Sequence, residues 1–452
     1  MKPWLSTSSI LKACKVAAIG AAAAFTLGFS QAEAATDIQL FFPVPVQGKL
    51  ANQMQTLIER FNKEHPESNV TAVYTGSYDD TNLKTRAAIK AGKPPAVVIM
   101  SANFILEYVI NGEVEPFDDL IKADGQTTDQ FMDQFWPALH GNAIIDGKVY
   151  GVPFHNSTPL LYYSVDAFKD AGLDPDQPPV TWADFIKDAQ ALTKRDGDTV
   201  KRWGFMMPGT YDYLGWITSA FDMLNGGQYY NANYGGEVYY NTPTMLGAVS
   251  LFHDMVFKYK VMPKGVTDAN AVTNAFFAGD LGMAILSTGS LSFVRDGMKH
   301  PYKVAFLPRN FRNSVPIGGA SLMMPKGLND DQKKVAWTLV KWLTSPAIAG
   351  EWSRFTGYFA PNRHAYELDE MKTFLEQHPD AKVALDQLAY AGSWFATYNV
   401  VGVRKALEDQ MQAVLSGDKQ PKEAIEAAQA AADELMRPYV EQTALKYLNY
   451  TN

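Results

Sequence analysis

Pro95-Ala96-Val97-Val98-Ile99-Met100 is the stretch on which the fold turns. It carries no charge, holds β-branched residues at its centre and is apolar at successive positions, so both of its faces must be covered. Working upstream, Asp37 to Phe42 reads as a strand, and Leu50, Met54, Leu57, Ile58 and Phe61 recur at helical spacing in a segment that closes at His65-Pro66. Val70 to Tyr74 is a second strand, and Ala87 to Ala91 lies on a second helix. Phe104 to Ile110 begins another helix downstream. Strand–helix–strand alternation of this kind predicts an α/β layer architecture with a mainly parallel sheet.

The pattern changes at Gly147-Lys148-Val149-Tyr150-Gly151-Val152-Pro153. Beyond it, Pro159 to Tyr163 reads as a strand, Asp174 to Pro179 as a turn segment, and Thr181 as the N-cap of a helix with Asp184 in its first turn. A helix-rich stretch is expected to about Lys260, then strands at Gly279 to Leu286, Lys303 to Leu307 and Ser321 to Pro325. Asp330 to Trp342 and Lys422 to Tyr439 read as helices, and there is no internal repeat.

The amino terminus sets the compartment. Lys2, Lys12 and Lys15 precede an apolar run from Val16 to Phe29, and Ala32-Glu33-Ala34 has the small-x-small form of a signal-peptidase site. The run is too short for the ~20 residues that span a bilayer, so residues 1–34 are expected to be a cleaved signal peptide. Cys14, the one cysteine of the chain, precedes the run, so lipid attachment there is not expected. A chain without further cysteine holds neither a disulfide nor a Cys-ligated metal, and must be stabilised by its core. With 452 residues and 47% hydrophobic content there is enough chain for two lobes. The formal charge of −8 argues against a nucleic-acid-binding surface, which needs clustered Lys and Arg. No later stretch is apolar for ~18 residues, so the mature chain is expected to be soluble.

These segments, in this order, resemble the solute-binding proteins of bacterial ABC importers. The resemblance rests on Gly151-Val152-Pro153-Phe154, Pro159-Leu160-Leu161-Tyr162-Tyr163, Phe168-Lys169-Asp170-Ala171-Gly172-Leu173, Thr181-Trp182, and Phe276-Phe277-Ala278-Gly279-Asp280 with Met283-Ala284. It covers essentially the whole mature chain. Asn156-Ser157-Thr158-Pro159, Ser287 to Leu291, Gly318 to Leu322 and Thr356-Gly357-Tyr358 bring it nearest to the periplasmic sn-glycerol-3-phosphate-binding proteins. The resemblance implies an α/β fold of two lobes joined by a multi-strand hinge, with the ligand in an interlobe cleft that closes on it. Lobe one would hold 35–152 and 305–345, and lobe two 153–304 and 346–452. The implied partners are a small-molecule ligand and the importer's membrane permease subunits. The protein is expected to be a periplasmic monomer, with no cofactor and no metal.

Carried over residue by residue, the implied ligand contacts are Tyr78, Ser157, Trp182, Ser287, Gly319, Tyr358 and Arg404. Ser287-Thr288-Gly289-Ser290 stands before an amphipathic segment, Leu291 to Met298, so its hydroxyls and N–H groups suit an anion, although an ordinary N-cap has the same sequence. Gly318-Gly319 would let a backbone N–H approach a ligand, or make a tight turn. Arg404 matches the family's phosphate-pairing arginine, whose guanidinium meets two oxygens at once; on a helical pattern it can also be a solvated residue. Trp182, Tyr213 and Trp216 can pack on the carbon face of a polyol or fill the core, and Trp182 is preferred among them.

Two departures set the ligand question. Ala102 stands where glycerol-phosphate binders carry a glutamate, and Pro43 to Gly48 replaces a His-Ser-x-x-Gly segment. A phosphorylated polyol or other small organophosphate, glycerol 3-phosphate-like or a glycerophosphodiester, is therefore expected. A mono- or oligosaccharide is the alternative, and the position of Arg404 and Ser287 relative to the cleft discriminates. A secreted hydrolase is the third class. The chain has no Gly-x-Ser-x-Gly elbow and no His-Glu-x-x-His helix, its seven histidines lack metal spacing, and Asp79-Asp80 reads as a solvated pair. His155, near the proposed site, reads as a pocket-wall hydrogen-bonder and not as a base.

Overall fold

A computed structural model describes residues 35–44, 49–231 and 236–448, with side chains to 442. Residues 1–34, expected to be a signal peptide and holding Cys14, and most of the departing segment Pro43 to Gly48, lie outside the described residues.

The first half folds as its periodicity dictates. Strand Thr36–Pro43 is followed by helix Leu50–Glu64, whose Leu50, Met54, Leu57, Ile58 and Phe61 are all buried. Each such side chain contributes roughly 1.5–3 kcal/mol on burial. Strand Ser68–Gly76, helix Tyr78–Lys90 and strand Val97–Ser101 complete the repeat, and Ser77 and Asp80 close a reciprocal capping box at the second helix. Thr36–Pro43 pairs in parallel with both neighbouring strands, and Val97–Ser101 is buried at every position.

The apolar edge of Val97–Ser101 is then covered from far along the chain. Strand Val315–Pro325 runs antiparallel to it, pairing Met323 with Val98 and Ala320 with Ser101. On its other edge it takes strand Val152–Ser157, also antiparallel, with a register shift between Ala320 and Ser321. These strands belong to a seven-stranded sheet. The second sheet has five strands and contains Pro159–Ser164, Leu281–Ser287, Tyr302–Ala305 and Thr199–Met206. The chain passes between the sheets at the buried Thr158, and again over 306–314. Residues 153–157, grouped by sequence with the second lobe, hydrogen-bond into the first sheet.

Two expectations are corrected. Both sheets are mixed, because antiparallel strands from distant sequence join the parallel cores. Thr199–Met206 interrupts the stretch read as helical and pairs in parallel with Leu281–Ser287. Its β-branched start was legible, but one polar half and an apolar end hide the alternation.

Gly319 shows why the junction needs its glycines. Its φ is +79°, and a Cβ there would stand 2.1 Å from the carbonyl oxygen of His155. We expect Gly319→Ala to cost about 2 kcal/mol or more, since left-handed backbone strain and a collision with main chain act together; urea unfolding would measure it. A cost below about 0.5 kcal/mol would mean that the two strands are not so closely apposed.

Candidate functional site

Five strands end at one cavity of about 470 Å³. Val44 follows Thr36–Pro43, Tyr74 lies near the end of Ser68–Gly76, and Ser101, Ser157 and Ser287 are the last residues of their strands. Ligands in open α/β sheets sit beyond the carboxyl ends of strands, where side chains and free backbone groups leave the sheet. Helical segments also begin at this cavity, with Ser77, Asp212, Asp268 and Ser287 as their first flanking residues. Both sheets therefore contribute to a single cleft.

Of the residues expected at the site, Tyr78, Ser157, Ser287, Gly319 and Tyr358 line this cleft. Ser287 Oγ accepts the N–H of Gly289 at 3.0 Å, so its own O–H remains to donate. The glycine pair acts through packing: a Cβ on Gly318 would stand 2.9 Å from the indole of Trp216, so Gly318 lets that ring lie on the strand. Trp216 Nε1 donates to the Pro316 carbonyl at 3.1 Å, which holds the ring in place as part of the lining, next to Tyr213.

Trp182 and Arg404 are not among the lining residues. Trp182 stacks on Phe221 with ring centres 5.9 Å apart, as a core residue. Tyr213 and Trp216 supply the aromatic surface instead, because helix Tyr213–Leu224 starts at the cleft and helix Trp182–Leu192 does not. Arg404 neither lines the cleft nor faces solvent: its side chain is 0% exposed. Its Nη2 donates to Asp79 at 2.7 Å, its Nε to Glu408 at 3.2 Å, and its Nη1 to Asp212. Glu408 also accepts the backbone N–H groups of Asp212 (2.9 Å) and Gly215 (3.1 Å). Asp79, read as one of a solvated pair, is thus an ion-pair partner, and Asp80 is a helix cap.

This cluster sets the electrostatics. Burial raises the Asp212 carboxyl above its ordinary range against the pull of Arg404, and pushes Glu408 up to about 8. For Arg404 burial opposes the charge, but Asp212, Glu408 and Asp79 outweigh it and hold its pKa above the usual guanidinium value. One cation meets three carboxylates. Asp212 still lines the cleft, at a backbone φ of +73°, a strained geometry that the Glu408 and Arg404 contacts hold. Among the described residues, the lining contains two carboxylate residues, Asp212 and Asp268, and neither lysine nor arginine.

Behind the cleft wall lies His155. Its Nε2 is 3.1 Å from Tyr78 Oη, and its ring stacks on Tyr358 at 4.9 Å and 13°. Burial depresses the imidazole pKa to about 3, and burial raises the hydroxyls of Tyr78 and Tyr358 well above the ordinary phenol value. Tyr74, Ser77, Ser101, Thr210, Tyr211, Asp212, Asp268, Asn270 and Trp394 also line the cleft, and none of them is among the residues expected there from the sequence. The start of helix Tyr213–Leu224 was findable, since an acid before an aromatic helical run marks a cap; Trp394 carries no local signal.

A family model for bacterial extracellular solute-binding proteins matches residues 56–394. The chain belongs to that family, the extracytoplasmic binding components that work with ABC permeases. It is 29% identical to the sn-glycerol-3-phosphate-binding periplasmic protein UgpB of Pectobacterium atrosepticum, over 96% of this chain and 99% of that one. In structure it matches UgpB from Mycobacterium tuberculosis in complex with glycerophosphocholine (TM-score 0.78, 23% identity, 88% of this chain and 98% of the other). It also matches maltose-bound MalE3 of T. maritima (TM-score 0.76, 20% identity, 88% and 100%). The fold is therefore that of the two-lobed solute-binding proteins.

Two outcomes follow from the buried charges. Arg404→Gln leaves Asp212 and Glu408 without their cation and should cost about 3–5 kcal/mol in urea unfolding. His155 is neutral in the native state down to about pH 3, whereas an unfolded imidazole protonates below about 6.5. The unfolded chain then binds the extra proton, so this residue's contribution to stability is lost as pH falls from 6.5 toward 3. Between pH 7 and 5, His155→Phe should lose about 2 kcal/mol less than the parent protein; an equal loss in both would contradict a buried neutral imidazole.

Proposed function

We propose that the protein captures a small organophosphate in this cleft, a glycerophosphodiester whose head group is cationic or hydroxyl-rich, and delivers it to the permease subunits of an ABC importer. The observation that carries the reading is the polarity of the lining. Ser157, Ser287, Tyr78 and Tyr358 bring hydroxyls to it, while Asp212 and the nearby rings of Tyr213 and Trp216 supply a carboxylate beside aromatic faces. A phosphodiester carries a single negative charge, which hydroxyl and backbone donors satisfy without a cation. Its head group then meets a surface suited to a quaternary ammonium or to sugar hydroxyls. A dianionic phosphate monoester would need a cation in the lining, and Arg404 is buried outside it with each of its three nitrogens bonded to a carboxyl group. The glycerophosphocholine complex of the M. tuberculosis relative and the glycerol-3-phosphate-binding relatives support the organophosphate class.

Binding proceeds by closure of the two lobes around the ligand, with no chemical step, and takes place in the periplasm after removal of residues 1–34. Lobe one is built on the first sheet and lobe two on the second. A neutral sugar or polyol is the second reading, favoured by the rings of Tyr74, Tyr213, Trp216 and Trp394 in the lining and by the maltose-bound neighbour.

Thermal shift and calorimetry with glycerophosphocholine, glycerol 3-phosphate and maltose decide between them. Glycerophosphocholine at a hundred times its Kd should stabilise by about 2.7 kcal/mol, growing with concentration as linkage requires, and glycerol 3-phosphate should bind more weakly. A response to maltose with none to either phosphate would overturn the organophosphate reading.

A further inference from the structure

We propose that His155 is a positioning residue that makes the Tyr78 hydroxyl a hydrogen-bond donor to the ligand. The inference rests on the reading of the cleft as a ligand site, and adds the direction of one of its hydrogen bonds.

His155 is 1% exposed, on strand Val152–Ser157, directly behind two lining tyrosines. Its ring is fixed by packing against Tyr358 (4.9 Å, 13°), Phe154 (5.6 Å, 32°) and Trp352 (6.1 Å, 18°). Tyr78 is the hydrogen-bond partner of Nε2, and among the described residues Nδ1 has none. Burial keeps the imidazole uncharged, so a single proton sits on one nitrogen or the other.

The two tautomers do opposite things to Tyr78. With the proton on Nδ1, a buried N–H has no acceptor, and Tyr78 must spend its O–H on Nε2; only its lone pairs would then face the cleft. With the proton on Nε2, the imidazole donates to Tyr78 Oη, and the buried unpaired atom is a bare acceptor. Orphaned N–H groups are rarer in protein interiors than under-satisfied acceptors, which selects the second arrangement. The phenol O–H is then free to point into the cleft and donate to a ligand oxygen. An ionised phenol is excluded at neutral pH, because burial holds the Tyr78 pKa well above its ordinary value.

Nitrogen-15 NMR of imidazole-labelled protein, with His155 assigned from the spectrum of His155→Gln, reads the tautomer without any ligand. The Nε2–H form at pH 7 is expected, and the Nδ1–H form would overturn the proposal. Calorimetry with glycerophosphocholine then tests the consequence. Tyr78→Phe and His155→Leu should each weaken binding about tenfold, as loss of one hydrogen bond does. The double variant should be no weaker than Tyr78→Phe alone, and His155→Gln, which keeps an amide donor near Nε2, should retain affinity within about threefold. Full affinity in a folded His155→Leu, or additive losses in the double variant, would refute the role. If none of the probes binds, the reading of the ligand class fails, and the tautomer still decides the inference about His155.

Discussion

Strand Val315–Pro325 is hydrogen-bonded along both edges, and most of the molecule depends on that. Val97–Ser101 is apolar on both faces and cannot end a sheet, because an exposed edge would leave its backbone groups and its side chains unpaired. The distant strand covers it, and by its second edge it takes in Val152–Ser157, which leads through Thr158 into the other sheet. Ser101 and Ser157, at the ends of the flanking strands, are thereby brought to one place. Gly318 and Gly319 make the arrangement possible. One leaves room for the Trp216 ring, and the other takes a left-handed turn against the His155 carbonyl.

The second organising constraint is charge. A guanidinium withdrawn from water is costly unless its donors are satisfied, and Arg404 meets this with Asp79, Asp212 and Glu408. The consequence reaches the cleft: the cation is consumed inside the protein, and a carboxylate is left among the lining residues. Hydroxyls, aromatic rings and carboxyl groups therefore dominate the polar part of the described lining.

Much of the scaffold was legible because it is local. Helix Leu50–Glu64 follows from five apolar residues at one spacing, and helix Trp182–Leu192 from Thr181 with Asp184, whose reciprocal bonds are present. The strand Thr199–Met206 was not, since its burial depends on a neighbour some eighty residues away. At the cleft, the motif residues Ser157, Ser287, Gly319, Tyr78 and Tyr358 all arrive, whereas the choice among Trp182, Tyr213 and Trp216 came out differently from the expectation. An aromatic residue has the same local pattern in a core and in a pocket wall, and only the packing of helix Tyr213–Leu224 on Val315–Pro325 separates the cases.

By itself, the sequence determined the α/β alternation, the family and four of the hydroxyl residues of the cleft, Tyr78, Ser157, Ser287 and Tyr358, because periodicity, caps and motif spacing are written along the chain. The tertiary structure alone decided that Arg404 is spent on three carboxylates, that Asp212 and Trp216 line the cleft, and that His155 backs Tyr78. Those outcomes depend on groups up to 325 positions apart meeting in a low-dielectric interior. There the electrostatic character of a side chain is set by its neighbours in space.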